Sequence, residues 1–463
     1  MLNEHEWYQS IYNDLIQNNK RLIFIAGGSS SGKSHNAEQL EKYLGAKNLK
    51  VLRFSTDNYY KGLSRVIVGK TVARDKFKQY QPYEIEISKI VKSITEHYAF
   101  KDKFKQENFY QIMNRLSGIV SHNDMFDFVS TLKYEQENMN FDDPFDIDFD
   151  WIVDTITKLK NKQIGTLSDY SFNTSEIVES GIKQMNGARY DVIIVEGLYI
   201  LRPEVLDYFG SDEYVSSSIA SSGKTRLIRR LHRDIFTDRC SLTPEETILT
   251  VLKNVMPGFI SEIEPTFKQS KYELTNNLST YEKDKKQMSC QTKYAVTKQH
   301  KDVMAQFLSS DSVTLVDTEE IRDLYLQDNI NDELVLRLRI CNDKLHLLSF
   351  KTMGDTQDRR VEHFPLHSYL SDVNAVDEFV NMLKSSGFEI SNEIIKTRET
   401  YSTTGFEDVC EFRVDFIKNL GVFVEIDNLS ARQTEDFANA LKLKLLPNKS
   451  YETLYNSQLI NNA

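Results

Sequence analysis

Cysteine is scarce: Cys240, Cys290, Cys341 and Cys410 are the only four in 463 residues, and no two share C-x-x-C spacing. That pattern offers no zinc site and suits a reducing compartment. Positive charge is also in deficit, with 57 Lys and Arg against 68 Asp and Glu and a formal net charge of −11. Such a balance argues against a nucleic-acid binder, while leaving room for a basic cavity in one segment. No apolar run approaches the ~20 residues that a membrane-spanning helix requires. The opening MLNEHEWYQS is too polar for a signal peptide. No membrane partner is expected, and the cytoplasm is the default location. Internal repeats and long low-complexity tracts are missing too. What remains, 40% hydrophobic and 27% charged, is an ordinary globular composition. The chain is long enough for roughly two to four domains.

The most informative stretch is RLIFIAGGSSSGKSHNAEQL, residues 21 to 40. An apolar strand stops at glycines and serines before a helix begins, and Gly27-x-x-x-x-Gly32-Lys33-Ser34 is the phosphate-loop pattern in its required context. Glycine lets the backbone turn several N–H groups toward one anion, and the helix N-terminus adds partial positive charge. Gly27, Gly28, Ser29, Ser30, Ser31, Gly32, Lys33, Ser34 and His35 are therefore the expected ATP contacts. Lys33 should reach the β/γ-phosphates and Ser34 should hold Mg²⁺.

Strand, phosphate loop, helix and the strand KVLRFS open a parallel α/β sheet. Residues 63 to about 138, rich in Lys, Phe, Tyr and Glu at helical spacing, read as a helical insertion. The α/β pattern returns at YDVIIVEGLYIL, and residues 1–275 are expected to form this first domain. Residues 276–312 read as a linker or connecting helix, and 313–463 as a second domain of mostly antiparallel strands.

Asp57 follows KVLRFS and so sits at the carboxyl edge of the sheet, beside the phosphate loop. It is either a general base for an acceptor hydroxyl or a turn and helix-cap aspartate. Glu196 ends a buried strand, the usual place for an acid that orients Mg²⁺. In GKTRLIRRLHRDIF, Arg226, Arg229 or Arg230, and Arg233 recur on one helix face, which can close over phosphates.

The blocks GGSSSGKS, STDNYY, NFDDPFDIDFD, DYSF, YDVIIVEGLYIL and TRLIRRLHRDIF resemble, in order and approximate spacing, the uridine kinase family of P-loop nucleoside kinases, relatives of phosphoribulokinases. The resemblance covers residues 20 to 275 apart from the insertion. It implies Asp57 as general base, Asp142 as the ribose-diol contact, Tyr170 as the base-side aromatic, and Arg226, Arg230 and Arg233 as catalytic lid residues. The family's base-reading groups are replaced by Ser171, Ser175 and Ile177, so donor binding is implied more specifically than the acceptor.

Past residue 312 the pattern repeats every two residues. Arg337 and Arg339 share one strand face, as do Lys396 and Arg398, Arg413 and Asp415, Glu425 and Asp427, and Lys442 and Lys444. Each pair alone fits a half-buried strand with its polar face in water. Like charges recurring on several strands make sense where a polyanion lies between them and an acidic pair holds a metal. The blocks DLYL, LRLRI, LLSFK ending in Lys351, KTRETY, FRVDFIKNLGVFVEID and SYETLY resemble the CYTH, or triphosphate tunnel metalloenzyme, family. That resemblance implies an eight-stranded antiparallel barrel whose basic residues grip pyrophosphate or tripolyphosphate and whose Glu425 and Asp427 bind metal. The family's opening E-x-E-x-K strand is expected just before DLYL, and SVTLVDTEEI does not contain it.

The leading expectation is an ATP- and Mg²⁺-dependent kinase acting on a hydroxyl acceptor, with a phosphate-rich ligand in the second domain. A pyrophosphatase or triphosphatase using the tunnel domain or the phosphate loop, and a non-enzymatic nucleotide or polyphosphate sensor, are the alternatives.

Overall fold

The structure, a computed structural model, describes residues 3–236, 244–277, 289–328, 335–342, 344–353, 360–370, 373–404, 411–427, 437–446 and 451–462. For some of these, including 289–292, 344–353, 360–370 and 427, it describes the backbone alone. The chain divides into two compact units, Met1–Ser221 with Arg229–Asn276, and Ser222–Ile228 with Asn277–Ala463. No helix among the described residues is long and apolar enough to cross a membrane.

The strands of the first unit are β1 (Leu22–Gly27), β2 (Val51–Ser55), β3 (Ile164–Leu167), β4 (Tyr170–Ser171), β5 (Glu176–Ile177), β6 (Lys183–Asn186), β7 (Val192–Gly197), β8 (Tyr214–Ala220) and β9 (Tyr272–Thr275). Five of them form a parallel sheet in the order β2-β7-β1-β8-β9. β1 and β7 are buried at every residue, which is why LIFIAG and VIIVEG read as continuous apolar runs rather than alternations. Leu22, Phe24 and Ala26 pack on one face with Ile152, Ile156 and Leu159 of α7 (Phe149–Lys160). Ile23 and Ile25 pack on the other with Trp7, Ile11 and Leu15 of α1 (Glu4–Gln17) and Leu40 and Leu44 of α2 (Lys33–Gly45). A sheet covered on both faces leaves its carboxyl edge as the place for a ligand.

The insertion is helical: α3 (Leu63–Val72), α4 (Glu84–Thr95), α5 (Gln106–Leu116) and α6 (His122–Glu137). Ile67, Ile87, Val91, Ile112, Leu116, Phe128 and Leu132 give it a core of its own. It is fastened to the short hairpin β4–β5 by Leu63 N donating to Ser175 O at 2.8 Å and Phe100 N to Asn173 O at 3.1 Å.

The second unit contains β10 (Ser289–Val296), β11 (Val313–Gln327), β12 (Val335–Cys341), β13 (Lys344–Met353), β14 (Arg360–Leu370), β15 (Glu389–Thr403), β16 (Glu411–Ile417), β17 (Gly421–Asp427) and β18 (Lys444–Leu445). The antiparallel order β14-β13-β12-β11-β15-β16-β17-β10 closes on itself because β14 also pairs with β10, while β18 adds to β10 as a short edge. This is an eight-stranded barrel, and closure removes the exposed sheet edges. Its opening strand is β10, which lies inside the stretch read from sequence as a linker. SCQTKYAV alternates Ser289, Gln291, Lys293 and Ala295 with Cys290, Thr292, Tyr294 and Val296, but it is short and adjoins a polar, charged stretch, and its pairing with β14 and β17 makes it a strand of the barrel.

Candidate active site and barrel interior

The phosphate loop leaves β1 and enters α2 through Gly32, whose φ of 89° is the left-handed region that glycine tolerates. A Cβ there would collide with Asn276 Nδ2, which donates to Ser31 O at 2.8 Å. Lys33 is buried and its Nζ lies 3.4 Å from Asp57 Oδ2. Asp57 is the second residue of a short 3₁₀ turn, Thr56–Tyr59, whose cap is Ser55, since Ser55 Oγ accepts from Asp57 N at 3.1 Å. The Asp57 carboxylate is therefore not the cap of its turn and faces the loop lysine. Ser34 Oγ donates to Glu196 Oε1 at 2.9 Å. Burial pushes the Glu196 carboxyl up, and nearby Lys33 opposes the shift. Glu196 Oε2, Ser30 Oγ and Ser31 Oγ are buried without a hydrogen-bond partner. Buried polar atoms are rarely left unpaired, and these are oxygens suited to a hard cation and to phosphate. The residues present thus fit Mg²⁺ and a nucleotide phosphate tail. His35 is exposed on the first turn of α2.

The arginine helix, Gly223–Phe236, lays part of its basic face on this loop. Arg230 Nη1 donates to Ser29 Oγ at 2.9 Å, and Arg230 Nε and Arg233 Nε donate to Asp234 at 2.6 and 2.9 Å. Arg229 Nη1 donates to Ser31 O at 3.3 Å and Asn276 O at 3.0 Å. Arg226 is buried one turn earlier, in the segment that groups with the second unit.

Asp142 is buried near Arg230, Asp57 and Lys33; burial pushes its carboxyl up, with Arg230 acting against the shift. Tyr199 Oη donates to Asp142 O at 2.6 Å. The Tyr170 and Tyr60 rings lie 5.4 Å apart, and burial pushes the Tyr170 phenol up. Behind Tyr170, the hairpin residue Glu176 accepts from Ser64 N at 3.0 Å and Ser64 Oγ at 2.5 Å, and lies 3.4 Å from the Nζ of Lys103. Glu176 and Lys103 are both buried, so an ion pair from the insertion fixes the hairpin that carries Tyr170.

In the barrel, cross-strand register sets cations against carboxylates. Asp323 faces Arg339 and Arg398 faces Asp415 as direct pairs. Arg339 Nε and Nη2 each donate to Asp323 at 2.7 Å, and Arg337 Nη1 lies 3.5 Å away. Arg398 donates to Asp415 at 2.6 and 2.7 Å and also to Glu425. Lys396 Nζ donates to Asp415 as well, and Lys293 Nζ lies 3.0 Å from Glu425 Oε1. Against burial, which pushes it up, Arg337 and Arg339 hold Asp323 well below the usual carboxylate range. Burial, reinforced by Arg398, pushes the Lys396 amine down to about 7. Tyr451, from the C-terminal helix Tyr451–Asn462, donates to Asp415 Oδ2 at 2.9 Å, and its ring lies under Lys293 Nζ at 4.1 Å and Lys396 Nζ at 4.8 Å.

A model of the phosphoribulokinase/uridine kinase family matches residues 92–277, and a model of the CYTH domain matches residues 291–452. This chain joins a phosphoribulokinase/uridine kinase domain to a CYTH domain. Uridine-cytidine kinase D of Dictyostelium discoideum is 24% identical over 326 residues, 68% of this chain and 62% of that protein. Inorganic pyrophosphatase TTM2 of Arabidopsis thaliana is 25% identical over 224 residues, 47% of this chain and 31% of that protein. A uridine kinase of Latilactobacillus sakei is 31% identical over 137 residues, 28% of this chain and 59% of that protein. The chain thus spans less than two thirds of the length of each of these relatives.

The CYTH barrel corrects several expectations. Arg337, Arg339, Lys396 and Arg398 do share one interior, but Lys442 and Lys444 are exposed. Lys442 is in a turn at φ 51°, and Lys444 is on a two-residue edge strand, so neither meets the closed face. Arg413 is half-buried beside Glu411. Glu425 is held by Arg398 and Lys293, and no group of three or more candidate metal ligands occurs among the described residues. The side chains of Lys351 and Asp427 lie outside the described residues. In the kinase domain, Asn276 was missed as a loop partner because its contact joins residues more than 240 positions apart, while Arg229, read as the alternative to Arg230 on the basic helix face, also meets the loop. In the barrel, Lys293 was missed because its short strand lies in the polar, charged stretch read as a linker.

Proposed function

We propose that the protein is an ATP- and Mg²⁺-dependent phosphotransferase acting on a hydroxyl acceptor of nucleoside-like or sugar class, in a reducing cytoplasm that suits its free, buried Cys341. The reading is carried by the convergence, at one sheet edge, of Lys33 on Asp57 and Ser34 on the half-unpartnered Glu196. Lys33 and the backbone of residues 27–32 bind the β/γ-phosphates, while Ser34 and Glu196 hold the ion. Mg²⁺ supplies neutralisation of the phosphate charge when bound. Phosphate oxygens draw Lys33 away and free Asp57, which takes the acceptor's hydroxyl proton as oxygen bonds to phosphorus and ADP departs. Arg226, Arg230 and Arg233 stabilise the charge that spreads over the moving phosphoryl group, and Asp142 and Tyr170 hold the acceptor. The barrel, on the same reading, binds a phosphate-rich ligand such as pyrophosphate or tripolyphosphate.

Hydrolysis of a phosphoanhydride is the second reading, favoured by the similarity to inorganic pyrophosphatase TTM2. Product analysis separates the two. Mg²⁺-ATP with a panel of nucleosides and sugars should give ADP and a phosphorylated acceptor; orthophosphate alone, from ATP or pyrophosphate, favours the second. Lys33→Ala should abolish ATP binding in a folded protein, and wild-type affinity in that variant would remove the donor-site assignment.

A further inference from the structure

The Ser31 carbonyl, one residue before the left-handed Gly32, is held from outside the phosphate loop. Asn276 Nδ2 donates to it at 2.8 Å and Arg229 Nη1 at 3.3 Å. A trans peptide unit is planar and its C=O and N–H point to opposite sides, so fixing Ser31 O also fixes the direction of the Gly32 N–H. Backbone N–H groups of such a loop are what meet the anion.

Asn276 is itself fastened on several sides. It follows β9 directly; its N donates to Ala220 O at 2.8 Å, and its carbonyl accepts from Ser221 Oγ at 2.9 Å and from Arg229 Nη1 at 3.0 Å. Arg229 Nη2 donates to Asn276 Oδ1 at 3.3 Å. A guanidinium can only donate, so this contact turns the amide oxygen to Arg229 and leaves the amide nitrogen for Ser31. The amide also rests against Gly32, at the spot where a Cβ would otherwise stand.

Resting on the reading of the phosphate loop as the donor site, we propose that Asn276 is a positioning residue for the nucleotide. It acts through the loop backbone rather than on the reacting atoms: its amide holds the Ser31–Gly32 peptide with the N–H turned to the phosphate tail, and Arg229 keeps that amide oriented. The loop then meets its ligand already in the binding conformation, and the cost of ordering it is not taken from the binding energy.

The test is calorimetric titration of the full chain with Mg²⁺-ATP, with Lys33→Ala run alongside to report ATP bound anywhere but the loop. Asn276→Ala and Asn276→Leu, the second keeping the approximate size of the side chain, should each bind about 5- to 10-fold more weakly than wild type, with an unchanged fold by circular dichroism. A general loss of packing would add to the effect of Gly32→Ala. Positioning predicts otherwise: Gly32→Ala already evicts the Asn276 amide, so adding Asn276→Ala to it should cost no further affinity. Wild-type affinity in either folded Asn276 variant, or a further 5- to 10-fold loss in the double variant, overturns the proposal while sparing the donor site. A wild-type chain that binds no better than Lys33→Ala removes the donor-site reading and the proposal with it.

Discussion

Replacing Gly32 by alanine tests the phosphate loop at the position where backbone geometry and packing coincide. The φ of 89° costs a non-glycine residue about 1–2 kcal/mol. The new Cβ also evicts Asn276 Nδ2, whose 2.8 Å hydrogen bond to Ser31 O contributes about 1 kcal/mol. Together these disfavour the loop's present conformation by about 2–3 kcal/mol, a fall of about 30- to 150-fold in its population. ATP affinity, measured by calorimetry with Mg²⁺ present, should weaken by a similar factor, because the ligand binds the loop as it stands. Global stability should change less, since the loop can relax while the cores around Phe24 and Ile25 remain packed. Gly45 is the control: its Cβ would meet nothing within 4 Å, so Gly45→Ala should leave binding unchanged. Wild-type ATP affinity in a folded Gly32→Ala protein would refute the claim that this backbone conformation is the binding one.

Asp57→Asn should lower kcat by about 10²-fold or more with little change in ATP affinity, as expected for a group that takes a proton; an unchanged kcat would remove Asp57 from the chemistry. Asp146 is fully buried 3.4 Å from Lys70, and burial pushes its carboxyl up to about 6. The folded state then holds more protons than the unfolded one between roughly pH 4 and 6, so stability falls as pH rises through that window. Asp146→Asn should therefore match wild type in urea melts below pH 4 and exceed it by up to about 3 kcal/mol at pH 8. Glu176→Gln leaves Lys103 buried without its counter-charge, a change costing about 3–5 kcal/mol locally. Hydrogen exchange should quicken across residues 170–177 and remain slow in β1, whereas uniform protection would mean that the insertion does not secure the hairpin.

The phosphate loop was legible in the chain alone because it is contiguous: Gly27 to Ser34, with a strand before and a helix after, carries its own conformational logic. Glu196 was legible for the same local reason, at the end of a run of apolar residues. Strand parity, set by the two-residue repeat, likewise placed Arg337 with Arg339 and Lys396 with Arg398 on shared faces. Parity does not say what stands across from a face. Asp323 against Arg339 and Asp415 against Arg398 are products of register between consecutive strands, which the parity of one strand does not state, and Glu425 against Lys293 joins strands more than 130 residues apart. Lys442 and Lys444 show the same limit from the other side: they alternate as the arginines do, yet Lys442 lies in a turn, Lys444 on a two-residue edge strand, and both meet solvent. The insertion's grip on the Tyr170 hairpin also waited on tertiary structure, because an ion pair between Lys103 and Glu176 spans 73 residues and leaves no periodic trace in either segment.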